Sequence, residues 1–466
     1  MTMLGPKIAA ARAVGELARR AGRGGGTSLP GKVLMALEPS AIAELSARLP
    51  RGSVVISATN GKTTTAAMVA SVLEHAGIRT VHNRAGANMA GGVASTLLAA
   101  ARGGGRIDGE LGLFEIDEFW LDRVTPELAP RVILLGNLFR DQLDRYGELD
   151  TIADRWAAVA SATSASAARL VLNADDPLIA DLGRDAARVT YFGIEDPSVA
   201  IPEMQHASDS KHCRRCGAAY VYDAIYLGHL GRYRCPSCGQ ERPAPAIAAE
   251  RIELDGTRRS TFELTTPAGT ASVELPLPGL YNVYNALGAA ALCLELDVPL
   301  RDVVAGLHDV QAAFGRAERI VIGDVELQVL LIKNPAGANE ILRTLVLEHE
   351  ELDLLAVLND RTADGRDVSW VWDADFEMLA GRVRRVTCAG TRAAELAVRL
   401  KYAGVPTDRL HVTPELAPAL DEALAAVESG HLYALPTYTA LLELRQELAE
   451  RGHAVRFWEP APVAGR

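Results

Sequence analysis

The sequence has few aromatic residues, few cysteines and no excess of positive charge. Phe, Trp and Tyr make up 5% of its 466 residues, while apolar residues make up 48%. A chain of this length and apolar content can form two or three domains with a sizeable core. Its formal net charge of -11 argues against a general nucleic-acid binder, which needs a basic surface to meet phosphates. We therefore expect no nucleic-acid partner.

The sequence also lacks a run of about 18 or more apolar residues, which a membrane-spanning helix would need. Residues 1–26 contain neither the continuous apolar core nor the cleavage site of a signal peptide. They can form a basic amphipathic helix, with Ile8 and Leu17 opposite Arg12 and Arg19. Such a helix can lie on the protein surface, which we favour, or contact a membrane. We expect a cytoplasmic protein, with peripheral attachment to the inner face of the membrane as the alternative.

Four of the six cysteines form two C-x-x-C pairs, which suggests a metal site in a reducing compartment rather than disulfides. The four are Cys213, Cys216, Cys235 and Cys238. Eighteen residues separate the pairs and Gly follows each pair, a pattern that matches tetrahedral Zn²⁺ in a structural site. The remaining Cys293 and Cys388 lie in apolar surroundings and are predicted core residues.

Strand-like and helix-like segments alternate along most of the chain, which predicts an α/β fold with a mostly parallel sheet. Residues 53–56 form a β-branched run, and apolar residues recur at helical spacing after Lys62. In such sheets, ligands bind at the carboxyl ends of the strands. The polar motifs of this sequence fall at those ends.

The composition divides the chain into an N-terminal helix and loop, a central domain and a C-terminal α/β unit. Residues 1–50 form the first part, with a loop over residues 22–32. The central domain covers residues 51–314 and is interrupted at residues 205–245 by the cysteine pairs. The C-terminal unit covers residues 315–466.

The segment TNGKTTT lies between a predicted strand and a predicted helix, as a phosphate-binding loop does. Lys62 can reach the β and γ phosphates of ATP, and the Thr63 hydroxyl can bind Mg²⁺. The usual pattern has Gly where this chain has Ile56. The predicted ATP-binding residues of the loop are Thr59, Asn60, Gly61, Lys62, Thr63 and Thr64.

TNGKTT resembles the phosphate loop of the Mur ligases, a family of ATP-dependent peptide-bond-forming enzymes of cell-wall synthesis. Further motifs resemble the same family in the same order, which implies a Mur-ligase-type central ATPase domain. FEIDE implies that Glu115 binds Mg²⁺ and acts in catalysis, and LNADDP implies that Asn173 and Asp176 contact adenine. GLYNVYN implies that Asn282 binds ATP, and FGRAERI implies that Arg316 stabilises charge on the transferred phosphoryl group.

GNLFRDQLDRYGE resembles a family segment that helps to hold a second metal ion, with Asn137, Asp141 and Asp144 retained. Gln142 replaces the family's His, and Trp156 stands where the family has a carbamylated lysine. We therefore expect one Mg²⁺ rather than two.

The zinc insertion and the C-terminal segments IKNPAGANEIL and LNDRTADGRDVSWVWDADFE narrow the resemblance to the MurT branch of the family. MurT proteins are the Mur-ligase-like subunits of lipid II isoglutaminyl synthase. The resemblance implies a C-terminal Rossmann-like domain. It also implies amidation of the α-carboxyl of D-glutamate in the lipid II stem peptide through an acyl phosphate, with lipid II bound at the membrane surface.

Ammonia for this reaction needs a source, and the sequence shows no clear glutaminase nucleophile. The MurT partner is GatD, a glutamine amidotransferase-type subunit that supplies Cys and His. The resemblance implies a heterodimer in which an acidic residue of the MurT C-terminal domain completes the partner's catalytic triad. We favour Asp367 for this role, with Asp360 and Asp364 as alternatives.

Two other functions compete with this hypothesis. A stand-alone ligase of the Mur or folylpolyglutamate type would show amino-acid-dependent ATP hydrolysis without a partner. A non-catalytic zinc-ribbon interaction protein would bind ATP without turnover, or would not bind it.

Overall fold

The computed structural model of the chain describes residues 4–20, 28–83, 87–102, 106–141, 149–163, 166–206, 208–311, 316–348 and 351–454. Two sheets, one of nine strands and one of six, carry helices around a largely aliphatic core. Most neighbouring strands in both sheets run parallel. The α/β class predicted from the sequence is therefore confirmed.

The N-terminal part is more helical than the sequence indicated. Helices α1 (Leu4–Arg20), α2 (Leu29–Leu37) and α3 (Ala41–Ser46) precede the first strand. The loop predicted over 22–32 is wrong from Leu29 onward, because Pro30 lies in the first turn of α2, where its missing N–H costs nothing. Leu4, Ile8 and Ala11 are buried, so α1 packs its apolar face on the domain.

The first sheet begins with parallel strands arranged on both sides of β1. These strands are β1 (Ser53–Ser57), β2 (Thr80–His82), β3 (Leu111–Glu115), β4 (Val132–Leu135), β5 (Arg169–Asn173) and β6 (Val189–Ile194). In the sheet, β3 and then β2 lie on one side of β1, and β4, β5 and β6 lie in that order on the other. The strand order therefore reverses beside β1, where open α/β sheets bind ligands.

An insertion follows β6 before the sheet resumes. Its antiparallel hairpin consists of β7 (Val221–Leu227) and β8 (Leu230–Arg234). The sheet then continues with β9 (Ile247–Asp255), which pairs in parallel with β6. Strands β10 (Arg259–Thr266) and β11 (Gly269–Leu275) complete it as an antiparallel meander. We call residues 205–245 the ribbon.

Helices cover both faces of this sheet. They are α4 (Lys62–His75), α5 (Ala90–Ala100), α6 (Leu121–Leu128), α7 (Leu149–Thr163), α8 (Pro177–Asp181), α9 (Leu280–Leu294) and α10 (Leu300–His308). Helix α9 is rich in alanine, and its alanines are fully buried against the sheet and α4. Within the described ranges, no helix is both long enough and apolar enough to cross a membrane.

The C-terminal unit contains the second sheet. Its strands are β12 (Arg316–Ile322), β13 (Val325–Leu330), β14 (Leu352–Val357), β15 (Val383–Ala389), β16 (Leu410–Val412) and β17 (His431–Pro436). Its helices are α11 (Pro335–Leu345), α12 (Ala393–Tyr402), α13 (Leu416–Ala426) and α14 (Tyr438–Glu450). The strand order is β12-β13-β17-β14-β15-β16, with only β12 and β13 antiparallel among the described pairs.

Candidate nucleotide-binding site

The predicted phosphate loop connects β1 to α4 at the point where the strand order reverses. Gly61 caps α4 with a φ of 91°, a left-handed conformation that favours glycine. A Cβ atom at Gly61 would collide with the side chain of Asn285. The N–H groups at the start of α4 have no partner within the helix, and the loop that precedes them depends on glycine for its shape. An anion-binding site at a helix N-terminus has both features.

A neighbouring segment, Asn137 to Phe139, fixes the loop from the side of β4. The Asn60 N–H donates to Asn137 Oδ1 at 2.9 Å, and Asn137 Nδ2 donates to the Asn60 carbonyl at 2.9 Å. The Phe139 N–H donates to Thr59 Oγ1 at 3.0 Å. These bonds hold the phosphate loop in one shape without a ligand, which lowers the entropy that binding must overcome.

The ammonium group of Lys62 lies close to the carboxylates of Glu118 and Asp117. Nζ donates to Glu118 Oε2 at 2.7 Å and also to the Ala58 carbonyl. Burial disfavours the charged lysine, but the carboxylates of Glu118 and Asp117 outweigh it, so the pKa of Lys62 is raised. Burial also raises the pKa of Glu118, an effect that Lys62 opposes. Lys62 is thus a charged donor beside the phosphate loop.

Glu115 ends β3, opposite Ile56 of β1, and is 1% exposed. Asn83 fixes its backbone, accepting from the Glu115 N–H at 2.9 Å and donating to its carbonyl at 2.8 Å. Neither carboxylate oxygen has a hydrogen-bond partner among the described residues. Because buried polar atoms are nearly always paired, this bare carboxylate fits the oxygen donor that a hard cation such as Mg²⁺ needs. Thr63, the other predicted ligand, lies in the first turn of α4.

A cleft of about 360 Å³ opens in front of the loop, within the range of small-molecule sites. The structure brings seven predicted ATP-binding residues together along it. They are Thr59, Asn60, Gly61, Lys62, Thr63, Thr64 and Asn282. Asn282 is held by its Nδ2 bond to the Pro278 carbonyl at 2.7 Å.

The C-terminal unit closes the cleft from the opposite side. Lys333 Nζ lies 2.5 Å from Asp141 Oδ2 and donates to the Thr59 carbonyl at 3.1 Å. The side-chain amides of Asn334 and Asn60 bond to each other in both directions, at 3.0 and 3.3 Å. Lys333 and Asn334 belong to the segment IKNPAGANEIL, which entered the sequence analysis only through its resemblance to the MurT branch. Their contact with the phosphate loop joins residues 274 positions apart and has no local signal.

Two predicted adenine contacts, Asn173 and Asp176, do not line the cleft. Asn173 Oδ1 accepts from the Asp175 N–H at 3.0 Å. Asp176 is fully buried and caps α8, accepting from the Leu178 N–H at 2.9 Å. Its other oxygen accepts from the Leu138 N–H at 2.9 Å, so it supports the segment that holds the phosphate loop. A direct contact of either residue with nucleotide stays a prediction.

Several other expected residues are placed only in part. Arg316 begins β12, but its side chain lies outside the described residues, as do Gln142 and Asp144. Trp156 is fully buried, and its Nε1 donates to the Glu118 carbonyl at 3.1 Å. A core residue thus occupies the position where a family lysine was expected.

The three candidate triad aspartates have different surroundings. Asp360 Oδ2 accepts from Arg392 Nε at 2.8 Å. Asp364 is buried and accepts from the Thr439 N–H at 2.7 Å. Asp367 is exposed and accepts from the Ser369 N–H at 2.9 Å, which lowers the pKa of Asp367.

The ribbon brings all four predicted cysteine ligands together, with their sulfur atoms within 4.8 Å of one another. Gly217 and Gly239 both adopt a φ of 75° and so permit the tight turn of each knuckle. The backbone N–H groups of Cys238 and Ser237 lower the pKa of Cys235, which favours a thiolate there. Four sulfur donors at this spacing fit tetrahedral Zn²⁺. Cys293 and Cys388 are buried in the core, as predicted.

Comparisons with known families agree with this architecture. The Mur ligase middle domain matches residues 56–233, and the MurT ligase C-terminal family matches residues 331–441. The fold is similar to the solved structure of a pseudomurein peptide ligase type C from Methanothermus fervidus, with a TM-score of 0.66 and 23% identity. That alignment covers 86% of this chain and 79% of the other.

Two curated proteins are similar to nearly the whole chain. Lipid II isoglutaminyl synthase (glutamine-hydrolyzing) subunit MurT of Streptococcus pneumoniae is 32% identical over 438 residues, covering 92% of this chain and 93% of that protein. The protein of the same name from Staphylococcus aureus is 32% identical, covering 93% of this chain and 96% of that protein.

Proposed function

The chain belongs to the MurT family of Mur ligases, and from this premise we propose that it is the ATP-consuming subunit of a lipid II isoglutaminyl synthase. Its membership confirms the resemblance seen in the sequence. Membership of the Mur ligase family makes the chain a ligase by enzyme class. Both MurT relatives carry the name of a subunit of that glutamine-hydrolysing synthase. The observation that carries the proposal is the bare, buried Glu115 carboxylate at the strand end next to the phosphate loop.

The proposed substrate group is the α-carboxylate of D-glutamate in the lipid II stem peptide. A carboxylate resists attack by ammonia, so it is first activated. One carboxylate oxygen attacks the γ-phosphorus of ATP, the bond to the bridging oxygen breaks, and ADP leaves. Ammonia then bonds to the carbonyl carbon of the acyl phosphate, phosphate departs with the bonding electrons, and the nitrogen loses a proton. The products are the D-isoglutamine amide, ADP and phosphate.

The cleft residues have roles that match this chemistry. Lys62 holds a positive charge where the β and γ phosphates would bind, and the N-terminus of α4 adds N–H donors. Glu115 and Thr63 would hold Mg²⁺, which when bound offsets the charge of the phosphate oxygens. Lys333 brings a second cation to the same cleft from the C-terminal unit. Arg316 would stabilise the transferred group.

Ammonia would come from a GatD-type glutaminase subunit. The described cysteines support this division of labour, because Cys293 and Cys388 are buried and burial raises the pKa of both thiols. Neither is therefore a ready nucleophile. Of the three aspartates, Asp367 is the most accessible to a partner, since Asp364 is buried and Asp360 is paired with Arg392. We assign the completion of the partner's triad to Asp367.

The test supplies the chain alone with lipid II, ATP and Mg²⁺, and offers either ammonium or single amino acids. With ammonium, we expect mass spectrometry to show amidated lipid II and one ADP to form for each amide. When hydroxylamine replaces ammonium, we expect the hydroxamate that an acyl phosphate would give. Amino-acid-dependent ADP formation with a ligated amino acid would instead establish the stand-alone ligase.

A further inference from the structure

The ribbon reaches the nucleotide cleft with the tip of its hairpin. Leu227 and Leu230, the residues on either side of the turn, line the cleft together with the phosphate loop. Between them lies His229, which is fully buried. The metal knuckles and the nucleotide cleft are thus at opposite ends of one small hairpin.

His229 connects the hairpin to the segment that fixes the phosphate loop. Its ring lies 4.6 Å from the ring of Phe139 between centroids. The Phe139 N–H donates to Thr59 Oγ1, so the residue that His229 packs against holds the phosphate loop directly. Gly228 adopts a φ of 56°, and a Cβ atom there would press on Phe139. The turn is therefore shaped to bring His229 and Phe139 together.

A second contact runs through the nitrogen atoms of the imidazole. The Asp209 N–H points at Nδ1 at 3.4 Å. Nε2 lies 3.5 Å from Asp176 Oδ2, the oxygen that accepts from the Leu138 N–H. His229 thus packs directly on Phe139 and lies beside Asp176, the residue that accepts from the Leu138 N–H, while Nε2 makes no hydrogen bond among the described residues.

The hairpin is too small to hold this position alone. It has two strands, and an isolated two-stranded hairpin is marginally stable in water. The four cysteines fix its open end, and a structural metal supplies folding energy to such an element. Tyr222 Oη donates to the His229 carbonyl at 2.9 Å and ties the strand to the turn.

We propose that the ribbon hairpin is a wall of the nucleotide site and that His229 is a positioning residue coupling metal binding at the cysteines to ATP binding. The inference rests on the proposed binding of ATP but not on amidation. Because coupling free energies are reciprocal, zinc must tighten ATP binding by the same factor as ATP tightens zinc binding. A factor of about 10 is typical of such coupling.

The first test measures binding of a non-hydrolysable ATP analogue by calorimetry to zinc-loaded and zinc-stripped full-length protein, with Mg²⁺ present. We expect stripping to weaken binding about 10-fold and restored zinc to reverse the loss. A colorimetric chelator titration should show that saturating analogue strengthens zinc retention by a similar factor.

The second test repeats both titrations on His229→Ala, His229→Phe and Asp223→Asn. In H229A, the ATP affinity should be low and should differ less than about 2-fold with and without zinc, because the connection is cut. H229F keeps a ring in contact with Phe139 and should retain most of the zinc dependence. D223N changes an exposed residue of the same hairpin and should behave as the unmodified protein does.

The outcomes separate this inference from the proposed function. ATP binding that ignores both zinc and His229 would overturn the coupling and leave the proposed function intact. No ATP binding to zinc-loaded protein would overturn both. If H229A loses its cooperative thermal unfolding, the H229F titration and the zinc retention of the unmodified protein decide the matter.

Discussion

At the scale of single residues, the candidate site is marked by ionisable side chains in buried positions, where folded proteins rarely place them. Glu115 is buried, and neither of its carboxylate oxygens is paired with any residue that the structure describes, although pairing would stabilise the fold. The proposed role in binding Mg²⁺ would explain this position, because a buried carboxylate that destabilises the empty protein is then retained for function.

Glu115→Gln should therefore separate stability from activity. We expect the free energy of unfolding without ligand to rise by about 1 kcal/mol, since a buried charge is removed. ATP turnover should fall by about 100-fold or more, since Mg²⁺ loses a charged ligand. Thermal unfolding and ADP release measure the two effects.

Glu253→Gln is the matched control, because Glu253 is an exposed glutamate of β9. It should change neither quantity. Lower stability together with unchanged turnover in E115Q would show that Glu115 is an ordinary structural residue.

At the scale of elements, the C-terminal unit completes the cleft through the start of α11. Lys333→Met removes the ammonium that bridges Asp141 and the Thr59 carbonyl. We expect ATP turnover to fall about 10- to 100-fold with little change in melting temperature, because the lost contacts lie at the cleft rather than in a core.

Lys401→Met is the control for K333M, since Lys401 is an exposed lysine of α12. Steady-state ADP formation at varied ATP compares the two. Equal activity of K333M and K401M would mean that Lys333 fills space between the C-terminal unit and the central domain and has no role in ATP turnover.

The aspartate-rich segment after β14 provides the next prediction. Asp367→Asn should lower glutamine-driven amidation by on the order of 100-fold or more, as expected when the orienting acid of a triad is lost. Ammonium-driven amidation by the same protein should stay within about 2-fold of the unmodified chain, because ammonia bypasses the partner.

Asp360→Asn and Asp408→Asn accompany D367N in the same assay. D360N tests the alternative triad residue, and D408N changes an exposed aspartate elsewhere in the unit. A selective loss in D360N, with none in D367N, would move the role to Asp360.

The sequence predicted the elements whose signal is local. Strands β14, β15 and β17 are nearly continuous buried runs and so have a local signal. Strand β12 has no such signal, because it is an antiparallel edge strand with charged residues and a 70%-exposed Val321. Strand β16 has three residues and depends on β15 for its existence.

The residues of the candidate site likewise divide into those with a local sequence signal and those without one. The phosphate loop is contiguous in the chain, so its residues could be read from one motif. Lys333 contacts this loop and His229 packs on Phe139 beside it, both from distant elements whose approach has no local sequence signal. Asp176 is a third case, because this carboxylate of a family-like motif caps a helix beneath the site, and its contact with nucleotide stays a prediction.

At the scale of the whole molecule, the ribbon contacts both units. Arg343 of α11 donates to the Tyr226 carbonyl at 2.7 Å, and His206 Nδ1 lies 2.7 Å from Asp375. The cleft is therefore built from the central domain, the ribbon and the C-terminal unit together. This arrangement suits a subunit that activates a carboxylate and receives ammonia from another protein.

The most direct test of this account is mass spectrometry of lipid II incubated with the chain, ATP and Mg²⁺. Ammonium or glutamine is supplied, each with and without a GatD-type subunit. We predict amidation from ammonium with or without that subunit, and from glutamine only with it. Amidation from glutamine by the chain alone, or no amidation in any mixture despite ATP binding, would contradict the account.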